Sequence, residues 1–245
     1  MANPTIDEVQ SDSQEFIDSR FVMRVFYVFA ALAAASILIS VAGKTIGASI
    51  AMDGHSDDPA HREIVIGNNV LSVPANVIRF EKARQPGEAH RLDLYFRWPS
   101  LDGYSQPARD DFNNRDGRRN IVFVSIEPRM MSRDMSGRLE PIYRRLVEPT
   151  PTPGPAGLQA YRFSEAAGYA NEELMVGPAS TGETYVARCL TGQAAAESLA
   201  GCERDVHFAD GLSLTYRFPA RFLGDWKALD DAIRKRVAGF IQAAR

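Results

Sequence analysis

Apolar positions follow three patterns along the chain. The first is a solid block. Val25 to Gly43 passes nineteen residues without a charge, between Arg24 and Lys44. At about 1.5 Å per residue a helix of that length covers about 28 Å, close to the hydrocarbon thickness of a bilayer. The block predicts a transmembrane helix over residues 25–43, extendable to 52 because the Lys44 ammonium can snorkel to the headgroups. Phe26, Tyr27 and Phe29 lie near one end, where aromatic rings favour the interface. A buried core helix is one rival. A secretory signal is the sharper one, with Ser49-Ile50-Ala51 as a small-x-small cleavage site. Against it, the block exceeds the usual length of about 7–15 residues, and the leader before it is acidic rather than basic.

The second pattern is alternation, which starts after residue 62. Glu63–Ile66 and Val70–Val73 read as strands around a Gly67-Asn68-Asn69 turn, and Val77–Phe80 as another short strand. His90–Trp98 alternates, with Leu92, Leu94, Phe96 and Trp98 on one face and Arg91, Asp93, Tyr95 and Arg97 on the other. Residues 99–119 are loop-like. Asn120–Ile126 is apolar on both faces and predicts a central strand. Leu139–Val147, Gly157–Phe163 and Thr184–Leu190 read as further strands, and Ser164–Gly182 as turns with one helical turn at most. Proline at every second position from 149 to 155 predicts an extended loop outside any sheet interior. Arg204–Ala209 and Leu212–Phe218 predict a hairpin on a two-residue Asp210-Gly211 turn. Ala194–Ala200 predicts a short helix.

The third pattern is helical. Trp226, Leu229, Ile233, Val237 and Phe240 form one stripe of a C-terminal amphipathic helix, with Asp225 as its N-cap. Asp230 with Arg234 and Asp231 with Lys235 have the favourable i,i+4 polarity. The expected fold is α+β: a single transmembrane helix, then a mainly antiparallel β domain covered on one side by the C-terminal helix.

Charge divides the chain in the same places. Residues 1–24 carry five acidic and two basic residues, and the remainder balances at 26 of each. This predicts a disordered cytoplasmic tail over 1–24, a helix over 25–43, a juxtamembrane linker over 44–62 and an exported β-rich domain over 63–245. Arg20 and Arg24 before the span favour a cytoplasmic N-terminus. A neutral body argues against a nucleic-acid partner. Arginine outnumbers lysine 24 to 4, a bias associated with GC-rich bacterial genomes, which places the body in a periplasm and the helix in the inner membrane. Small residues four apart, such as Ala31 with Ala35 and Gly43 with Gly47, allow a homo-oligomer through the helix.

Candidate chemistry is sparse. Cys189 and Cys202 are the only cysteines, both after the span, and form a candidate disulfide in an oxidising compartment. Asp53, His55, Asp57, Asp58 and His61 hold ligand types for a metal, but Gly54 and Pro59 make a solvated spacer the better reading. Gly177 to Gly182 resembles a nucleophile elbow with one residue too many before Ser180. His207, flanked by Asp205 and Asp210, is the one histidine placed for general-base work. Met130, Met131 and Met135 are expected to tuck beneath their loop, with an adaptable contact surface as the alternative. No catalytic, cofactor-binding or metal residue is assigned. The reading is a single-pass, membrane-anchored envelope protein, non-enzymatic, whose periplasmic domain binds a protein partner or cell-wall component. A membrane-anchored periplasmic hydrolase using His207 and a subunit of a larger membrane assembly are the alternatives.

Overall fold

The computed structural model describes residues 19–52, 54–178 and 183–242, and the chain divides into two units between residues 53 and 54. The acidic tail at 1–18, Asp53 of the linker and Ser180 of the elbow-like run lie outside the described residues. The first unit is one helix, α1 (Ser19–Met52). Its window Met23–Ser40 has a mean hydropathy of 1.9 and no buried residue, so length and composition fit a membrane anchor or a signal sequence.

The second unit is α+β. Its strands are β1 (His61–Ile66), β2 (Asn69–Pro74), β3 (Gly87–Glu88), β4 (Leu92–Arg97), β5 (Ile121–Pro128), β6 (Thr152–Pro153), β7 (Gln159–Arg162), β8 (Glu172–Pro178), β9 (Thr184–Leu190), β10 (Cys202–Phe208) and β11 (Leu212–Phe218). Its helices are α2 (Arg109–Phe112), α3 (Gly192–Glu197) and α4 (Trp226–Ala238). An antiparallel eight-stranded sheet runs in the order β4-β5-β11-β10-β9-β8-β7-β6, and a smaller one in the order β2-β1-β3. Leu94, Phe96, Val124, Leu214 and Tyr216 point from the large sheet toward Leu229, Ile233, Val237 and Phe240, the α4 stripe, in one core that also takes Ile66 and Leu71 of the small sheet.

The open edges of the sheets are covered or short. Ile78 bridges Leu94 beside β4, and the Arg79 N–H donates to the Asp93 carbonyl at 2.9 Å. At the other end β6 is two residues long and ends on Pro153. Residues 240–242 run along β2, with Ser72 N–H to Phe240 O at 2.8 Å and Gln242 N–H to Val70 O at 2.9 Å.

The centre of the large sheet has one weak seam. β9 and β10 pair only at Cys202 with Cys189 and at Glu203 with Arg188. Cys189 and Cys202 are joined by a disulfide at that seam. Past it the strands stop pairing, and polar groups bridge them instead. Arg204 donates to the Val186 carbonyl at 2.8 Å and to Ser136 Oγ at 3.1 Å. The His207 N–H donates to Asp134 Oδ2 at 3.3 Å, and Arg138 pairs with Asp205.

Several sequence expectations need correction. Glu172–Pro178 is a full strand, not a turn: residues 174–177 are buried on both faces, so no alternation shows. Leu139–Val147 is not a strand. Tyr143–Arg145 forms a 3-10 turn and Tyr143 enters a second core with Met135, Leu139, Leu174, Val176 and Val186. Val77–Phe80 contributes only the isolated bridge at Ile78, because Ala75–Val77 coils into a 3-10 turn. The hairpin loop has three residues, since Phe208 pairs with Leu212, and Ala209 and Gly211 take φ of 44° and 67°. Asn69 Nδ2 holds that loop by the Asp210 carbonyl at 2.7 Å. Asp225 precedes α4 but makes no side-chain cap bond, because Ala220–Asp225 is already a 3-10 helix and φ of −120° with ψ of 28° is not the extended geometry a cap adopts.

Candidate functional site

The face of the large sheet opposite α4 is covered at its two ends and open in the middle. Period-two alternation dictates what lies there: Asp93, Tyr95 and Arg97 on β4; Phe123, Ser125 and Glu127 on β5; Ser213, Thr215 and Arg217 on β11; Glu203, Asp205 and His207 on β10. At the β4 end, Tyr95 packs edge-on to Phe112 at 4.8 Å, and Tyr104 meets Phe112 at 5.4 Å. Burial there pushes the Tyr95 phenol up to about 12. At the other end, residues 129–147 lie over β7 to β9 through the second core.

Between these covers runs a groove made of two adjoining clefts. One, of about 400 Å³, is lined by Arg79, Arg91, Asp93, Phe123, Ser125, Leu199 and Arg217 among others. The second, of about 240 Å³, is lined by Met130, Met131, Arg138, Tyr143, Arg188, Asp205, His207 and Ser213. Glu127, Glu203 and Thr215 line both. Apolar side chains stand exposed on the rim: Leu199 (46%), Met131 (52%) and Met130 (88%). Only Met135 of the three methionines is tucked under its loop.

The floor is a ladder of ion pairs. Arg91 meets Asp93 at 2.9 Å and Glu127 at 3.6 Å. The Ser125 hydroxyl donates to Asp93 at 2.6 Å and accepts from Arg91 at 2.7 Å. Glu203 sits between Arg188 at 2.9 Å and Arg217 at 2.6 Å, and Arg188 reaches on to Glu172 at 3.3 Å. Burial pushes the Asp205 carboxyl up from its ordinary value while Arg138 pulls it down. Every carboxylate lining the groove therefore has an arginine partner.

The sequence candidates fall as follows. His207 reaches the groove, and its cross-strand partner is Ser213, the nearest approach to a base beside a hydroxyl. Asp205 on the same face is taken by Arg138, and Arg129 Nη1 stands 3.5 Å from His207 Nδ1, so the imidazole lacks the carboxylate orienter that a catalytic triad uses. His55 is not in a free spacer. Its ring stacks on Tyr104 at 4.5 Å, with Nδ1 at 3.1 Å from the Tyr95 hydroxyl and Nε2 at 2.9 Å from Asn113 Oδ1. Among the described residues no group of three His, Cys, Asp or Glu side chains could hold a metal ion. Sequence reasoning missed Arg79, Glu127, Glu203 and Arg217. The alternation of β5 and β11 marks their polar face, but nothing in the sequence says which segments flank it.

No protein-family model matches the sequence, and no curated protein matches it. Two solved structures are similar in part. An immunity protein of the Stenotrophomonas maltophilia type IV secretion system aligns at 17% identity and a TM-score of 0.49, over 76% of this chain and 94% of that one. The Neisseria meningitidis iron-regulated outer membrane lipoprotein FrpD aligns at 14% identity and a TM-score of 0.45, over 77% of this chain and 97% of that one. At these values neither likeness bears on what this chain binds.

Proposed function

We propose that this is a membrane-anchored, non-enzymatic binding protein of the bacterial envelope. Residues 25–43 cross the inner membrane, the N-terminus stays in the cytoplasm, and the β-rich body in the periplasm docks a protein partner through the groove. A cell-wall component is the alternative occupant. One observation carries the reading: the groove pairs each lining carboxylate with an arginine and carries exposed methionines on its rim. Arginine-paired carboxylates, Asp205 among them, leave His207 without a carboxylate to orient it, whereas flexible, polarisable methionines beside fixed charges suit a contact surface. The buried disulfide agrees with an oxidising compartment.

A photo-crosslinking residue placed at Met130 or Thr215 in cells that make the protein should give one discrete adduct. The same residue at Lys227, exposed on α4, should give none. Adducts at Lys227 with none in the groove would move the docking site to the helical side.

A further inference from the structure

We propose that the larger cleft is a carboxylate-binding site whose receptor is the guanidinium of Arg79. The inference rests on the docking reading above and names the chemistry of what docks. Five arginines line the groove. Arg91, Arg138, Arg188 and Arg217 are each held by a carboxylate of this chain. Among the described residues the Arg79 guanidinium has neither an ion pair nor a hydrogen bond. Its contacts are aromatic: Cζ lies 5.0 Å from the centre of the Phe80 ring and 4.8 Å from that of Phe123.

Two rings beside one guanidinium restrict where it can stand, so less rotamer freedom is lost when an anion arrives. A flat pair of N–H groups matches the two oxygens of a carboxylate. Besides Arg79, the same cleft is lined by three carboxylates, Asp93, Glu127 and Glu203, against the two guanidinium groups of Arg91 and Arg217, so Arg79 only brings its charge to balance. Such surroundings suit a monoanion better than a phosphate dianion. Leu199, half exposed on the wall of this cleft, offers an apolar contact beside the charge. The ligand is therefore a carboxylate next to an aliphatic group. Two sources in a partner protein share that chemistry: a glutamate or aspartate side chain beside an apolar residue, or a chain terminus ending in one.

The test is calorimetric titration of the full-length protein in zwitterionic lipid nanodiscs with three tripeptides. The first is acetyl-Leu-Glu-Leu-amide, the second acetyl-Leu-Gln-Leu-amide, and the third acetyl-Leu-Gln-Leu with a free terminal carboxyl. Saturable binding is expected for at least one carboxylate peptide, and the tighter of the two identifies the source. Arg79→Gln should weaken it at least about tenfold, to the level of the uncharged peptide. Arg79→Lys keeps the charge but not the flat fork and should fall between. The thermal midpoint of each variant checks that the fold survives. Equal binding by the wild type and Arg79→Gln overturns the proposal, as does failure of both carboxylate peptides to saturate at about 10 mM. If the groove crosslinks persist in Arg79→Gln, the docking reading stands and this inference alone falls.

Discussion

Arg204 is the most deeply placed charge in the body, with no exposed surface. Its Nε donates to Asp230 Oδ1 at 3.1 Å, and the same oxygen accepts from the Tyr216 hydroxyl at 2.6 Å. The Tyr185 ring lies against the guanidinium at 4.5 Å. Burial keeps the Tyr216 phenol far above its ordinary value, so it stays a donor to Asp230. A buried pair of this kind adds little net stability, but loss of one member strands the other in an apolar medium. Asp230→Ala should therefore cost about 3–5 kcal/mol in urea unfolding. A loss under about 1 kcal/mol would show that Arg204 finds another partner. From the sequence Asp230 reads as the surface half of an i,i+4 pair with Arg234, and that contact exists at 3.2 Å. Its burial by Arg204 was not legible, because the two residues meet only through the packing of α4 on β10.

At the level of elements, the seam between β9 and β10 decides how the large sheet behaves. Only two ladder pairs join its halves there, and one of them is the disulfide pair. The bond closes a separation of thirteen residues, for which chain-entropy reasoning gives about 3 kcal/mol. Replacing both cysteines with alanine should lower stability by about that amount. It should also raise hydrogen exchange in β6 to β9 more than in β4, β5, β10 and β11. Uniform loosening would mean that the segment 129–147 and Arg204, not the disulfide, hold the halves together. Elements with clean alternation, β4, β5 and β11, were legible because one face is buried and the other is not. β8 was hidden for the opposite reason, and Tyr143 looked like a strand residue because its partner, the second core, is built from strands elsewhere in the chain. The groove was the least legible part. Its floor joins four strands in the order β4-β5-β11-β10, and pairing order and register are not written in local pattern.

For the whole molecule, the anchor reading makes a direct claim about partitioning. Alkaline washing of membranes should leave the full-length chain with the lipid, and an export-dependent reporter enzyme fused to its carboxyl end should be active. Release of the intact chain would remove the anchor, and a silent reporter on a retained chain would reverse its orientation. The α+β class and the C-terminal helix followed from composition and period alone. The second, three-stranded sheet did not, because the two-residue strand β3 carries no signal of its own.

The guarded edges of both sheets carry a last consequence. Ile78 and Arg79 occupy the margin of β4, residues 240–242 occupy that of β2, and the far side ends in two residues with a proline. Along these three margins a foreign chain finds no rail on which to zip itself, backbone to backbone. Recognition there is written in side chains, so changes in a visiting sequence would be felt one residue at a time.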